Sequence, residues 1–290
     1  MPLRTEHLTK DYGSYRALDD LTVSVGAREV FGLLGPNGSG KTTALRLLLG
    51  FLRPTRGGAW INGHDCWHDS IAARRQAAYL PGELRLYENM TGRQLVHFLG
   101  RLRGHVVRAD VDALARRLDI DLDRPIADLS SGMKRKVALL QVLVPHAPLL
   151  ILDEPTNTLD PTMRDELLGQ LRQARDAGQA VLFSSHVLTE VEQVCDRVGI
   201  LQRGRLVHVQ DMNELRGARL VRVRFADGMP ALPDLKGLHL REQHQDRISL
   251  EHTGPLPPLL EWLAGQPVAD LSIEPLGLNA NYHRYHGAAE

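Results

Sequence analysis

The stretch GPNGSGKTT, residues 35–43, decides the fold of this chain. It fits the pattern G-x-x-x-x-G-K-[ST] from Gly35 to Thr42. Glycines at this spacing let successive backbone N–H groups surround phosphate oxygens, and a helix that follows them adds the partial positive charge of its N-terminus. In this pattern Lys41 reaches the β- and γ-phosphates, and the hydroxyl of Thr42 binds the Mg²⁺ that bridges them. The stretch therefore predicts a loop that binds a nucleoside triphosphate.

The residues around this loop predict a parallel sheet flanked by helices. Glu29–Leu34 (EVFGLL) has the pattern of a buried strand, and Thr43–Leu49 (TALRLLL) that of a helix with one apolar face. Further along, strands and helices are predicted at Ala77–Leu80, Leu149–Leu152, Thr162–Arg175, Ala180–Phe183 and Val187–Val194. Alternation of this kind is typical of α/β proteins. The plainer alternative, a chance glycine loop before a helix, does not explain these flanks.

Composition narrows the class of protein. A length of 290 residues allows one large domain or two ordinary ones, and 35 basic residues balance 35 acidic ones. Zero net charge disfavours a general nucleic-acid or anionic-membrane surface. Cys66 and Cys195 lie far apart without metal-ligand spacing, which predicts two free thiols in a reducing compartment.

Neither a signal peptide nor a membrane span is expected. Charged residues interrupt the start of the chain, beginning with Arg4 and Glu6. No apolar run reaches the roughly 18 residues that a spanning helix needs. We therefore expect any membrane role to come through a partner.

A second chemical stretch is Leu149–Pro155, LLILDEP. Its four apolar residues place Asp153 and Glu154 at the end of a buried strand, and ligands of open α/β sheets bind at such strand ends. Asp153 is then positioned to hold Mg²⁺, and Glu154 to polarise or deprotonate an attacking water. The alternative is an ordinary acidic loop after a strand. The presence of a phosphate loop in the same chain favours the catalytic interpretation.

Six motifs in order resemble the ATP-binding subunits of ATP-binding cassette (ABC) transporters over residues 1 to about 215. They are Tyr12 in KDYG, the phosphate loop, LPGE at Leu80–Glu83, LSSGM at Leu129–Met133, TNTLD at Thr156–Asp160, and Ser184-Ser185-His186. The resemblance implies a P-loop NTPase core with an antiparallel β edge and a helical signature subdomain at about 85–145. We expect a small α+β accessory or regulatory domain at 216–290.

The resemblance also assigns roles to residues. It implies that Tyr12 stacks on adenine and that Thr42 and Asp153 bind Mg²⁺. It also implies that Glu154, His186 and Lys41 are the catalytic residues, with His186 in contact with the γ-phosphate. The residues implied to bind ATP are Tyr12, Gly35, Pro36, Asn37, Gly38, Ser39, Gly40, Lys41, Thr42, Thr43, and, facing a second subunit's nucleotide, Ser130, Ser131 and Gly132. On local sequence alone, Ser130 fits an ordinary helix N-cap, Tyr12 a strand-edge aromatic and His186 a surface histidine.

The chain departs from the family pattern at several positions. Gly82 stands where the family usually has the Gln that helps to bind Mg²⁺, so Glu83 becomes a further candidate ligand. Ser131 and Met133 replace Gly and Gln in the signature, and Thr158 replaces a small residue. Because Lys41, Thr42, Asp153, Glu154 and His186 remain, we expect hydrolysis to survive with altered coupling.

The resemblance predicts an ATPase that works with partners. Two copies would enclose two ATP molecules with Mg²⁺, most simply as a homodimer, and drive a separate membrane permease from the cytoplasmic face of the membrane. A single cassette with a small β-containing tail resembles subunits of two-component exporters of drugs, lipids or polysaccharides. The alternative is a soluble ABC ATPase acting on ribosomes or nucleic acid. Three features disfavour this alternative. The chain has a single cassette, its net charge is zero, and the stretch between Lys41 and Asp153 is too short to hold a coiled coil.

The tail carries one further open question. Five histidines lie there, and His283 and His286 are spaced to share a helical face. A metal site or scattered solvated histidines both fit this pattern.

Overall fold

The computed structural model describes residues 1–103 and 108–278, and the chain divides into two compact units. The first is Met1–Val209, and the second begins at Gln210. Each has its own buried apolar core. His283 and His286 lie outside the described residues.

The first unit contains two sheets and a helical part. Its elements are β1 (Leu3–Tyr12), β2 (Tyr15–Val25), β3 (Val30–Leu34), α1 (Lys41–Leu48), β4 (Arg56–Ile61), β5 (His64–Asp65), α2 (Ser70–Arg75), β6 (Ala77–Leu80), α3 (Gly92–Arg103), α4 (Arg108–Arg117), a 3-10 turn (Ile126–Asp128), α5 (Ser131–Leu143), β7 (Leu149–Asp153), α6 (Pro161–Asp176), β8 (Ala180–Ser185), α7 (Leu188–Val194), β9 (Arg197–Gln202) and β10 (Arg205–Asp211). The boundary between the units falls within β10.

The larger sheet aligns the chemical motifs along one edge. Its order is β10-β9-β3-β8-β7-β6, with β6, β7, β8, β3 and β9 parallel. Every residue of β3, β7 and β8 is buried, as expected for central strands with helices on both faces. Because parallel strands end at the same edge, the phosphate loop, Asp153 and Ser185-His186 leave the sheet side by side. The predicted parallel sheet is confirmed.

A smaller antiparallel sheet forms the predicted β edge. Its order is β2-β1-β4-β5, and β1 and β2 form a hairpin around Gly13 and Ser14. Gly13 has a φ of 61°, which a tight hairpin turn requires. Tyr12 and Tyr15 therefore sit opposite each other at the hairpin end.

The predicted helical segment consists of α3, α4, the 3-10 turn and α5. Leu95, Ile126, Leu129 and Val137 form a small buried cluster that packs α3 against α5. Ser130 caps α5, since its hydroxyl accepts a hydrogen bond from the N–H of Met133 at 3.3 Å.

The second unit contains a four-stranded antiparallel sheet and the helices α8 and α9. Its elements are α8 (Met212–Gly217), β11 (Arg219–Phe225), β12 (Leu238–His244), β13 (Arg247–His252), α9 (Leu256–Ala264) and β14 (Val268–Pro275), and its strand order is β12-β13-β11-β14. Val223, Phe225, Leu250 and Leu259 belong to its core. Within the described residues of both units, none of the helices is long and apolar enough to span a bilayer.

Candidate nucleotide-binding and catalytic site

The phosphate loop spans Gly35–Gly40 between β3 and α1. Gly40 has a φ of 106°, and a Cβ there would lie 2.7 Å from the carbonyl oxygen of Ala17, so only glycine fits. The helix α1 begins directly afterwards, at Lys41. The N–H groups of its first turn have no partner within the helix and face the loop, which creates an anion-binding end.

Lys41 is held inside the curve of this loop. Its side chain is only 5% exposed, and its Nζ donates to the carbonyl oxygens of Gly35 at 2.6 Å and Pro36 at 3.2 Å. The Nζ also lies 3.7 Å from Oε1 of Glu154. Burial lowers the pKa of Lys41, while the charges of Glu154 and Asp153 oppose that shift. The result is a buried cation where a phosphate would lie.

Thr42 and Asp153 bring two side-chain oxygen atoms close together. The Oγ1 of Thr42 lies 3.4 Å from Oδ2 of Asp153, and the hydroxyl of Ser184 donates to Oδ1 of Asp153 at 2.7 Å. No group of three or more His, Cys, Asp or Glu side chains with metal-binding geometry occurs in the described part of the chain. A hydroxyl and one carboxylate, completed by phosphate oxygens and water, is a donor set that fits Mg²⁺.

Glu154 is oriented from several sides. Its backbone has a φ of 45°, its N–H donates to Oγ of Ser184 at 3.0 Å, and its Oε2 accepts from Nδ2 of Asn157 at 2.7 Å. Nδ1 of His186 lies 3.4 Å from Oε1. Burial raises the pKa of Glu154, but the hydrogen bond from Asn157 and the charges of Lys41 and His186 together bring it below the ordinary value. The carboxylate is therefore ionised at neutral pH and available as a base.

A cleft of about 220 Å³ lies over the loop, bordered by aromatic rings. Tyr12 is 47% exposed, and Nζ of Lys10 lies 5.1 Å from the centre of its ring. Tyr15, which the sequence analysis did not select, also lines the cleft because the hairpin pairs it with Tyr12. An exposed ring of this kind suits stacking on a nucleotide base.

The signature residues do not join this cleft. Ser130, Ser131 and Gly132 are absent from the described residues that line it, and both serines are exposed at the N-terminus of α5. Ser130 acts as the N-cap that local sequence allowed. Its role toward a second subunit remains a prediction.

The remaining metal candidate is Glu83, which is exposed. A Cβ at the neighbouring Gly82 would lie 3.4 Å from Oδ2 of Asp153, so the missing side chain leaves space beside the predicted magnesium ligand.

The sequence analysis missed several residues that orient the site. Asn157 and Ser184 lay within the quoted motifs, but their contacts with Glu154 and Asp153 were not predicted. Buried Arg135 was also missed. It lies between Lys134 and Lys136 in the basic run at the start of α5, so the local pattern did not distinguish the cation that becomes buried.

A family model and several known proteins are similar to this chain. The family model described as "ABC transporter" matches residues 18–157. The daunorubicin/doxorubicin resistance ATP-binding protein DrrA of Streptomyces peucetius is 34% identical over 78% of this chain and 71% of its own. The bacitracin transport ATP-binding protein BcrA of Bacillus licheniformis is 30% identical over 85% of this chain and 83% of its own.

A solved structure shows the same fold. The structure described as the ATP-binding subunit of an ABC transporter superposes with a TM-score of 0.69 and is 30% identical. The match covers 74% of this chain and 92% of the other.

Proposed function

The chain belongs to the family of ABC transporter ATP-binding proteins, and from this premise we propose that it hydrolyses ATP at the cleft over Gly35–Thr43 to drive export through a separate permease. Membership confirms the resemblance drawn from the motifs, the α/β fold class and the ATPase activity expected from the sequence. The observation that carries the site assignment is the convergence of Lys41, Thr42, Asp153 and Glu154 at the ends of β3 and β7.

Binding uses the loop and the aromatic hairpin. The N–H groups at the start of α1 and the ammonium of Lys41 hold the phosphates, while Tyr12 stacks on the base. The fit of the Thr42 hydroxyl and the Asp153 carboxylate supports them as Mg²⁺ ligands. When bound, Mg²⁺ supplies positive charge to the β- and γ-phosphate oxygens.

Hydrolysis uses Glu154 and His186. The carboxylate of Glu154 takes a proton from water as the water oxygen bonds to the γ-phosphorus and the bond to the ADP oxygen breaks. His186, 3.4 Å from Oε1 of Glu154, contacts the γ-phosphate and orients that carboxylate. Lys41 stabilises the charge that accumulates on the transferred phosphoryl group.

ATP-binding subunits of this family dimerise and work with membrane permeases. We infer a homodimer in which Ser130–Gly132 of each copy covers the nucleotide of the other. The exposed N-terminus of α5 supports this role, since such an end attracts anions. The protein then acts at the cytoplasmic face of the membrane.

Exporter function rests on the relatives. DrrA is named for drug resistance and BcrA for bacitracin transport. A ribosome- or nucleic-acid-directed ATPase is the alternative, and zero net charge gives it no electrostatic support.

The variant Glu154→Gln tests the site. We expect turnover to fall by about 10²- to 10⁴-fold because the general base is lost, while ATP binding persists and an ATP-dependent dimer accumulates. ATPase assays and size-exclusion chromatography with and without MgATP measure both effects. Glu166→Gln on α6, where the carboxylate accepts a local hydrogen bond from Gln170, makes the same charge change outside the cleft as a control. Full activity of Glu154→Gln would eliminate the role assigned to this residue.

A further inference from the structure

We propose that Arg135 is a positioning residue for hydrolysis, which holds Glu154 in place through the backbone and joins it to Gly82 and to the signature helix α5. The inference rests on the proposed function, since it assigns to Glu154 the role of catalytic base.

The guanidinium of Arg135 is surrounded by backbone carbonyls from two separate segments. Its Nη1 donates to the carbonyl oxygens of Pro81 and Gly82, each at 2.9 Å. Its Nε donates to the carbonyl oxygen of Pro155 at 3.1 Å. Its Nη2 donates to the carbonyl oxygens of Asp153, at 3.3 Å, and Glu154. One side chain therefore ties the exit of β6 to the exit of β7.

This cation is buried. Arg135 is only 2% exposed, no ion pair within 4.0 Å is found for it among the described residues, and the charges of Asp153 and Glu154 act on it from farther away. A buried cation is costly unless its donors are satisfied, so the five carbonyl contacts have to persist together. Losing any of these segments would leave donors unpaired, which makes the arrangement a rigid clamp.

The clamp acts where the backbone is strained. Glu154 has a φ of 45°, a conformation that a non-glycine residue keeps only when its surroundings enforce it. The carbonyls on both sides of this residue, those of Asp153 and Pro155, accept hydrogen bonds from Arg135, as does its own. Arg135 therefore fixes the direction in which the Glu154 side chain leaves the backbone.

The hydrogen bonds of Arg135 also link the segment of Gly82 to the segment of Asp153. Gly82 has no side chain to reach the nearby carboxylate of Asp153, whose Oδ2 lies 3.4 Å from the position of its absent Cβ. Arg135 makes the link between these two segments through their carbonyls instead. Because Arg135 lies on α5, a displacement of the capped end at Ser130 moves the same group that holds Glu154.

The variants Arg135→Lys and Arg135→Gln test this proposal. No hydrogen bond joins Arg135 to Gly35–Thr43 in the described structure, so we expect the KM for ATP to stay within about 3-fold. We expect kcat to fall by at least about 10-fold, since a misplaced catalytic group loses rate even at small displacements. Lys134→Gln removes a neighbouring cation that pairs with the exposed Glu88 and serves as the matched control. Unchanged kcat in a folded Arg135→Lys protein would overturn the proposal.

A double variant separates positioning from general damage. If Arg135 acts through Glu154, adding Arg135→Lys to Glu154→Gln lowers the residual kcat by less than about 3-fold, although it costs at least about 10-fold in the wild-type background. Equal losses in both backgrounds, or a loss of ATP binding that matches the loss of kcat, would overturn the proposal. Arg135→Lys keeps the charge and is the deciding variant if Arg135→Gln fails to fold. Absence of ATPase activity in the wild-type protein would instead reject the proposed function itself.

Discussion

Glu154 shows how neighbouring residues set the charge of the proposed catalytic base. Burial favours its neutral form, whereas Asn157, Lys41 and His186 favour the carboxylate, and the net effect is a pKa below the ordinary value. Because the folded-state pKa is depressed, the carboxylate persists at neutral pH and is lost only as the pH falls through that lowered value. The acid limit of activity therefore depends on the partners of Glu154.

Asn157→Ala is expected to move this limit to higher pH. The variant removes the hydrogen bond to Oε2 while burial continues to favour the neutral acid, so the pKa of Glu154 rises. The acid limb of kcat/KM, which reports the free enzyme, measures the shift. Asn89→Ala, at an exposed position before α3, is the control. An acid limb identical to that of the wild type would mean that Asn157 does not control this ionisation.

At the scale of elements, one end of α5 combines an observed role with a proposed one. Ser130 caps the helix, and the same hydroxyl lies at the surface where a second subunit's phosphates are proposed to bind. Local sequence favoured the cap, while motif order favoured phosphate contact. The structure confirms the cap, and substitutions can separate it from phosphate binding.

Ser130→Ala is expected to lower stability more than Ser130→Asp does, whereas Ser130→Asp is expected to lower ATPase activity more. Alanine loses the cap and destabilises the first unit by about 1 kcal/mol, whereas aspartate keeps a capping oxygen and the original stability. Aspartate brings a negative charge toward the phosphates, so it should reduce ATPase activity more than alanine does. Thermal melting without nucleotide and ATPase rates measure the two effects. Equal activities in both variants would contradict phosphate contact at Ser130.

At the scale of the whole molecule, two separate cores predict two unfolding events. The cleft residues all belong to the unit Met1–Val209, while the second unit has a core built around Val223 and Phe225. A ligand stabilises only the part that binds it, by about 2.7 kcal/mol at 100 times its Kd.

Calorimetry of the Glu154→Gln protein is expected to show two transitions, with MgATP raising only the one that belongs to the first unit. A chain ending at Arg216 identifies that transition, because it lacks β11–β14. Equal shifts of both transitions would mean that the second unit responds to the nucleotide and has a direct part in the ATPase cycle.

The sequence alone determined the chemistry of this protein, because a phosphate loop, LDEP and a strand ending in Ser-Ser-His depend on residue type and local spacing. It also indicated the central parallel strands, since buried runs such as Leu149–Leu152 have little alternative to a sheet interior. Less regular elements such as α2 and β12 were not predicted, because their short, mixed patterns carry no strong periodicity. Motifs and buried runs can be recognised from a short stretch of sequence, without knowledge of the rest of the chain.

Tertiary structure decided which residues hold the chemical groups in place. Tyr15 reaches the cleft through hairpin register, Ser184 reaches Asp153 because β7 and β8 pair in parallel, and Arg135 reaches two strand exits across separations of 18 to 54 residues. Contacts between distant segments depend on how the strands and helices pack, and no local pattern records them. The proposed catalytic groups can therefore be identified from the motifs, while their orientation comes from side chains that only folding brings beside them.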